Sequence, residues 1–414
     1  MVRINQIIKC LACVGVITAV VACGAQRKGA ASQDATSTGS VAANSGSVSA
    51  ESNSESAVYN RIHFGLNLFS KAVADKKLAS GNVVVSPYSA GMALSMLADG
   101  ANGVTKDELK SALSDAVYSG DFLKSTKNTT ISTANSIWIK DGFSVKENYI
   151  ANLENSYKAQ INVRDFSDNG TVKEINKWCS NKTAGRIPQI IDEISPDQVM
   201  FLLNALYFKS SWASAFDKKN TFDAEFHGEN GDAKVPFMHQ TEIFTYGEVE
   251  GNQYVVLPYK SDEYRMVICL PSENAEISTL LGALDADTFR NAVFSRRTAK
   301  VALSLPKFRV NTALTLNGIL RALGVQAAFT GAADFSGITG SSVAVDEVRQ
   351  KCFVEVSEEG TEAAAVTSVG VRLTSVMPED RPVVMNVNRP FVFAIVDSET
   401  ADILFAGKIG TIEK

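Results

Sequence analysis

Hydrophobic positions along this chain change period several times, and each period predicts an element. Ile62, Leu66, Phe69 and Val73 recur every three or four residues, which predicts a helix over 58–79. The β-branched run Val83-Val84-Val85 predicts a short strand stopped by Ser86-Pro87, and the small apolar residues of 90–97 suit a buried helix. Thr105, followed three residues later by Glu108, has the spacing of a capping box and predicts a helix start. Apolar runs at 131–139, 255–258, 266–270 and 301–305 predict strands, and 312–329 reads as a helix ending near Gly324. Near the C-terminus, 391–396 and 403–406 flank the polar turn Asp397-Ser398-Glu399-Thr400, which predicts a hairpin. No repeating βαβ rhythm, internal repeat or linker follows residue 57. The pattern predicts one α+β domain with large mixed sheets over 58–414.

The chain before residue 58 follows other rules. Arg3 and Lys9 precede an apolar run, residues 11–22, of signal-peptide length and too short to span a bilayer. The run closes on Val20-Val21-Ala22-Cys23, which resembles the bacterial lipobox. That resemblance implies a signal peptide over 1–22, export, acylation of Cys23 and a lipid anchor in the bacterial envelope, with the outer membrane expected. Each buried methylene contributes roughly 0.8 kcal/mol, so a multiply acylated cysteine is a stable anchor. Residues 24–57 are about two-thirds Gly, Ala, Ser and Thr and hold no aromatic residue, too little to offset ordering entropy. Residues 23–57 are therefore expected to form a flexible tether reaching about 30–35 Å from the membrane.

Composition narrows the chemistry. With 40 Lys+Arg against 45 Asp+Glu, the net charge of −5 gives no footprint for nucleic acid. Six cysteines are too few for a disulfide-built scaffold. Three histidines limit His-based catalysis: His63 lies in a helical pattern beside Phe64, and His227 and His239 lie in polar, strand-edge sequence without metal-ligand spacing. Cys179, Cys269 and Cys352 each stand alone among apolar residues, which suits buried free thiols. There is no G-x-S-x-G elbow, no phosphate-binding G-x-x-x-x-G-K-[ST] loop and no H-E-x-x-H helix. A monomer without metal, cofactor or enzymatic activity is expected.

Residues 357–377, SEEGTEAAAVTSVGVRLTSVM, carry more information than any other stretch. Read as a strand, one face holds Thr361, Ala363, Ala365, Thr367, Val369 and Val371, all small or β-branched and uncharged. The other holds Glu362, Ala364, Val366, Ser368, Gly370 and Arg372. No proline interrupts the segment, so every residue can donate to a ladder. Yet its Gly, Thr and Ala triplet make a poor ordinary strand, and Pro378, Asp380 and Pro382 follow it. Such a segment satisfies two demands, an exposed loop and a central strand.

At these residues the sequence resembles the inhibitory branch of the serpin family, and the resemblance covers nearly all of 58–414. The hinge Glu358-Glu359-Gly360-Thr361-Glu362-Ala363-Ala364-Ala365 is similar to that of inhibitory serpins. Six further blocks agree in order: 82–89, 176–187, Leu203 to Lys209 with Trp212, 305–308, 334–337 and 388–391. The resemblance implies a reactive-centre loop over about 358–385 and a shutter and breach that include Ser86, Ser89, Asn204, Trp212 and Gln350. Where many serpins carry a shutter histidine, this chain has Gln350, which implies altered energetics of sheet opening.

By the same resemblance, a protease attacks the loop as substrate, and the cut loop inserts into the main sheet with the acyl-enzyme attached. A strand of about 15 residues spans roughly 50 Å, enough to carry the protease to the far pole. Family spacing from Glu358 puts the cut between Thr374 and Ser375, with Arg372 and Leu373 offering alternative bonds. Elastase-like, trypsin-like and papain-like proteases are the partners implied, as for a broad-range inhibitor. The alternative is a non-inhibitory surface binding protein of the same fold.

Overall fold

The computed structural model describes residues 13–23, 49–75, 81–118, 123, 125–361 and 381–413. In chain order the first strands are β1 (Cys13–Cys23), β2 (Val83–Val85), β3 (Thr129–Lys140), β4 (Gln160–Arg164) and β5 (Gln198–Ser211). Next come β6 (Thr221–Gly228), β7 (Gly231–Val249), β8 (Asn252–Pro258), β9 (Tyr264–Leu270), β10 (Thr298–Pro306) and β11 (Phe308–Thr315). The last are β12 (Val343–Val356), β13 (Gly360–Thr361), β14 (Val383–Asn386), β15 (Phe391–Asp397) and β16 (Ile403–Ile409). The helices are α1 (Ser49–Ala74), α2 (Pro87–Asp99), α3 (Gly103–Ala112), α4 (Glu147–Tyr157), α5 (Asn169–Lys182), α6 (Ile277–Ala283), α7 (Ala286–Val293) and α8 (Asn317–Ala322).

Two mixed sheets hold the strands. The first runs β11-β12-β1-β5-β3-β4, with β13 added to the end of β5. The second runs β14-β10-β7-β8-β9-β15-β16-β2, with β6 on β7. The expected mixed α+β architecture with surrounding helices is what forms.

Strand β5 shows why the sequence builds a two-sided sheet. It is buried over nearly its whole length, so its apolar run is continuous where a half-exposed strand would alternate. Met200, Leu202, Leu206 and Phe208 point into the main core. Phe201, Leu203, Ala205 and Tyr207 join a second cluster with Ile175, Trp178 and Cys179 of α5 on the opposite face. Burial of a large aliphatic or aromatic side chain contributes about 1.5–3 kcal/mol, so both faces add to stability.

Local expectations met tertiary structure with mixed results. The closing hairpin forms as β15 and β16. Residues 312–315, expected in a helix, belong to β11, because Thr312–Thr315 pair with Cys352–Arg349 of β12; 317–322 turn α-helical and 327–329 make a short 3-10 turn. The capping box does not form. Helix α3 starts two residues earlier at Gly103; Thr105 is buried and accepts from the Asp334 amide, and Glu108 accepts from the amides of Gln326 and Ala327. Helix α1 begins at Ser49, inside the segment expected as tether, since Ala and Glu support a helix once a packed helix follows. The apolar run expected as a leader pairs antiparallel with β5 on one side and β12 on the other. Eleven consecutive residues without proline can complete both ladders.

Candidate functional site

The site lies where β12 hands over to β13 at one end of the first sheet. Ser357 and Gly360 exchange backbone hydrogen bonds across a tight turn, at 3.1 and 3.2 Å. Gly360 sits at φ +138°, and a Cβ there would lie 2.3 Å from the Ser210 carbonyl oxygen. Any larger residue would force the hinge off β5. The turn is fastened from outside as well. The Trp212 amide donates to the Glu359 carbonyl and the Phe216 amide to the Glu358 carbonyl. The Trp212 indole donates to the Ser357 carbonyl at 3.0 Å and stacks on Tyr259 with centroids 4.7 Å apart.

The two hinge carboxylates among the described residues are paired, in different settings. Glu358 is buried and accepts from Thr221 Oγ1 at 3.0 Å and from Lys307 Nζ at 3.0 Å. Burial pushes its carboxyl up, but its own amide, Lys307 and Thr221 outweigh that and hold it below the ordinary value. Glu359 meets Lys218 at 2.6 Å in a largely exposed pair, which raises the Lys218 pKa. Such pairs contribute little to stability.

Thr361 is fully buried and stands opposite Ser210 of β5. Its side chain faces the main core, where Tyr259 meets it. Residues 362–380 lie outside the described residues. So Glu362, Ala363, Ala364 and Ala365 of the expected hinge, and Arg372, Leu373, Thr374 and Ser375 at the expected cut, have no geometry here. The expected loop, 358–385, is trimmed at both ends by sheet structure: 360–361 belong to β13, and 383–386 form β14, parallel to β10.

Further along the same sheet, the first turn of α2 reaches toward both strands that flank β1. On the β12 side, Gln350 accepts from the Ser86 amide and donates to the Ser86 carbonyl, both at 3.0 Å. Ser86 Oγ donates to the Leu404 carbonyl. On the β5 side, Ser89 donates to Asn204 at 2.5 Å, Asn204 donates to Asn135 at 2.8 Å, and Asn135 donates to the Tyr157 carbonyl. Ser86, Ser89, Asn204 and Gln350 are fully buried. Ile17 of β1 lies opposite both Asn204 and Gln350, so β1 passes between the two networks.

Four of the five expected shutter and breach residues therefore cluster around α2, and Trp212 sits apart at the hinge. Sequence reasoning missed Tyr259, Thr221, Lys218 and Asn135 as partners. Lys307 was within reach, since it lies in the quoted block 305–308. The other candidates stay out of the site. Cys179, Cys269 and Cys352 are buried free thiols, and burial pushes the first two up to about 12. His63 contacts Ser114 and His227 contacts Asp232, both on the exposed surface. Among the described residues no group of three or more potential metal ligands occurs.

Over most of its length the chain is similar in sequence and fold to known proteins. The family model described as Serpin (serine protease inhibitor) matches residues 59–411. A serpin-like protein of Thermococcus kodakarensis is 36% identical, over 81% of this chain and 82% of its own length. Antitrypsin of Bombyx mori is 31% identical, over 80% of this chain and 92% of its own length. The crystal structure of the thermophilic serpin tengpin in its native state superposes with a TM-score of 0.78 at 31% identity, covering 89% of this chain and 96% of that one.

Proposed function

The chain belongs to the serpin family, whose members similar to it include protease inhibitors, and we propose that it inhibits proteases as a suicide substrate. The observation that carries this reading is the register of Thr361, buried opposite Ser210. Continued inward, that antiparallel register sets Ala363 opposite Phe208, Ala365 opposite Leu206, Thr367 opposite Asn204 and Val371 opposite Met200. These β5 residues face the main core, which matches the small, uncharged face of the segment.

In this reading the protease serine attacks the Thr374 carbonyl, the bond to Ser375 breaks, and Ser375 leaves as a new amino terminus while the protease stays esterified to Thr374. Insertion of 362–373 then completes ladders to β5 and β12. At about 1 kcal/mol net per hydrogen bond, a dozen residues contribute on the order of 10 kcal/mol. Arg372 and Leu373 would serve trypsin-like or papain-like enzymes, and Thr374 elastase-like ones, which supports a broad-range inhibitor. A non-inhibitory binding protein would have no need of this small-residue face.

Residues 13–23 cover Phe208 to Gln198, the stretch of β5 that 363–373 would cover. Loop insertion thus requires β1 to leave. Cleavage before Cys23 would remove ten of its eleven residues and leave Cys23, the expected site of acylation, as the new amino terminus. The domain would then stand off the envelope on a tether shortened by the start of α1 at Ser49. Incubating processed protein with elastase, trypsin and papain, followed by denaturing gels, tests the inhibitor reading through covalent adducts. Palmitate labelling of wild type against Cys23→Ser tests the anchor.

A further inference from the structure

Among the described residues nine large apolar side chains are exposed, and three of them, Phe222, Ile243 and Val384, gather on one region of the second sheet. Register places Ile243 and Val384 together, and Phe222 joins them through its stack on His239. Ile243 is opposite Lys300; Thr241, Ala302 and Val384 form the next rung; His239, Ser304 and Asn386 form the third. Residues directly opposite share a face. On β10 the alternate residues Val301, Leu303 and Leu305 are buried, so this face looks to solvent. At the strand spacings of a sheet the three apolar groups lie within roughly 10–15 Å of one another. A depression of about 600 Å³ opens beside them, lined by Val384, His239, Ala302 and Ser304 with the acidic Asp217 and Glu242.

Phe222 is exposed but held. It is 56% accessible, yet its ring stacks on His239 with centroids 4.0 Å apart and planes 11° from parallel. His239 is itself held at both nitrogens: Nδ1 lies 3.1 Å from the carbonyls of Asn220 and Phe237, and Nε2 lies 3.0 Å from Ser304 Oγ. Carbonyls only accept, so Nδ1 carries a proton, and Nε2 shares a hydrogen bond with the Ser304 hydroxyl. A preorganised aromatic flanked by apolar groups has the character of an interface anchor, because little side-chain entropy remains to be lost on binding.

We infer that this face is a secondary docking surface for the body of the protease that grips the reactive loop. The inference rests on the inhibitor reading and adds where the protease sits before cleavage. Continuity with the loop argues for that occupant. Val384 lies on the strand that ends the loop, and Thr374 is nine residues before Val383, about 30 Å when extended. A protease of about 230 residues has a radius of gyration near 17 Å, so one holding the loop at 374–375 reaches this face with its flank beyond the leaving side of the cut. Insertion would later carry the protease away, so the surface acts on encounter and not on the trapped product.

The test titrates the full chain with elastase and with trypsin whose active-site serine is alanine, so that the loop is gripped and not cut. Wild type is compared with F222S/I243S, both off the loop-bearing strand, and with V384S. Each variant should bind at least about tenfold more weakly at an unchanged melting temperature, since buried aromatic and aliphatic anchors dominate interface energetics. In parallel, processed protein is incubated with active elastase. Equal affinities for all three proteins, with adduct formed, would overturn the surface alone. No binding and no adduct for wild type would overturn the inhibitor reading and the surface with it.

Discussion

The hydroxyl of Tyr259 and the hydroxyl of Thr361 meet at 2.6 Å in the buried core, with the Tyr259 ring stacked against Trp212. The first inserted residue of the hinge is thereby fastened to the end of β8 before any cleavage. The two residues next inward on the same face are alanines, Ala363 and Ala365, so in the proposed register 363–371 carry no side chain larger than Thr or Val on the core side.

Thr361→Arg places a long cation where the native side chain is fully buried. An unpaired buried charge costs several kcal/mol, enough to expel the hinge from its place on β5 and so to oppose insertion while leaving the loop cleavable. The expected result is conversion from inhibitor to substrate, read as a rise of tenfold or more in the stoichiometry of inhibition. Thr361→Ser keeps a hydroxyl for Tyr259 and should stay close to wild type. Inhibition by the Arg variant at wild-type stoichiometry would sink the register argument.

Glu358 makes hinge stability depend on acid. Its folded pKa lies below the ordinary value, so the stability it contributes is present above the unfolded pKa of about 4.3 and is lost as pH falls through the folded value. The melting temperature of wild type should decline over that acidic window. Glu358→Gln should be less stable at pH 7 and flatter below pH 4.5. Parallel melting curves for the two proteins would show that the Lys307 and Thr221 contacts do not hold the hinge.

Gln350→Ala would leave the buried Ser86 amide without its Gln350 acceptor, while the Ser86 carbonyl keeps the Ala90 amide. A buried donor left unpaired costs about 1–3 kcal/mol, which should lower the denaturation midpoint and speed spontaneous opening between β5 and β12 in the processed protein. Because an amide does not titrate, wild type should show no opening transition near pH 6.5 at this position, and Gln350→His should acquire one. Opening rates at pH 5.5 and 7.5 check both statements.

Occupation of the slot by β1 predicts that the unprocessed chain traps proteases poorly. Val16→Pro removes a ladder donor in the middle of β1 and should loosen it from β5 and β12, raising adduct yield from the full chain. Equal yields from the unprocessed wild type, the proline variant and the processed protein would mean that β1 yields to the loop freely.

Gly360 and Thr361 were legible because their demands are local: a glycine where only glycine fits and a small residue on the buried face. The shutter residues came from blocks whose order could be read, and the buried Gln350 followed from its place ahead of the hinge. Partners brought in from distant strands, such as Tyr259 on Thr361 and Thr221 on Glu358, leave no mark at any fixed spacing. Thr105 and Glu108 show the opposite failure. Their spacing fits a cap, but tertiary acceptor roles toward Asp334 and Gln326 claimed both side chains. Residues 312–315 were misread because a genuine helix begins two residues later and lends them its period. The apolar run ending at Cys23 satisfies a leader and a strand equally, since a short β-branched run carries no period that separates them.

The central claim is tested most directly by incubating processed protein with active elastase and identifying the covalent product. A denaturant-stable adduct of the protease with the fragment ending at Thr374, and release of a C-terminal fragment beginning at Ser375, is the result predicted. Quantitative cleavage of the loop with the protease left free and active would contradict it.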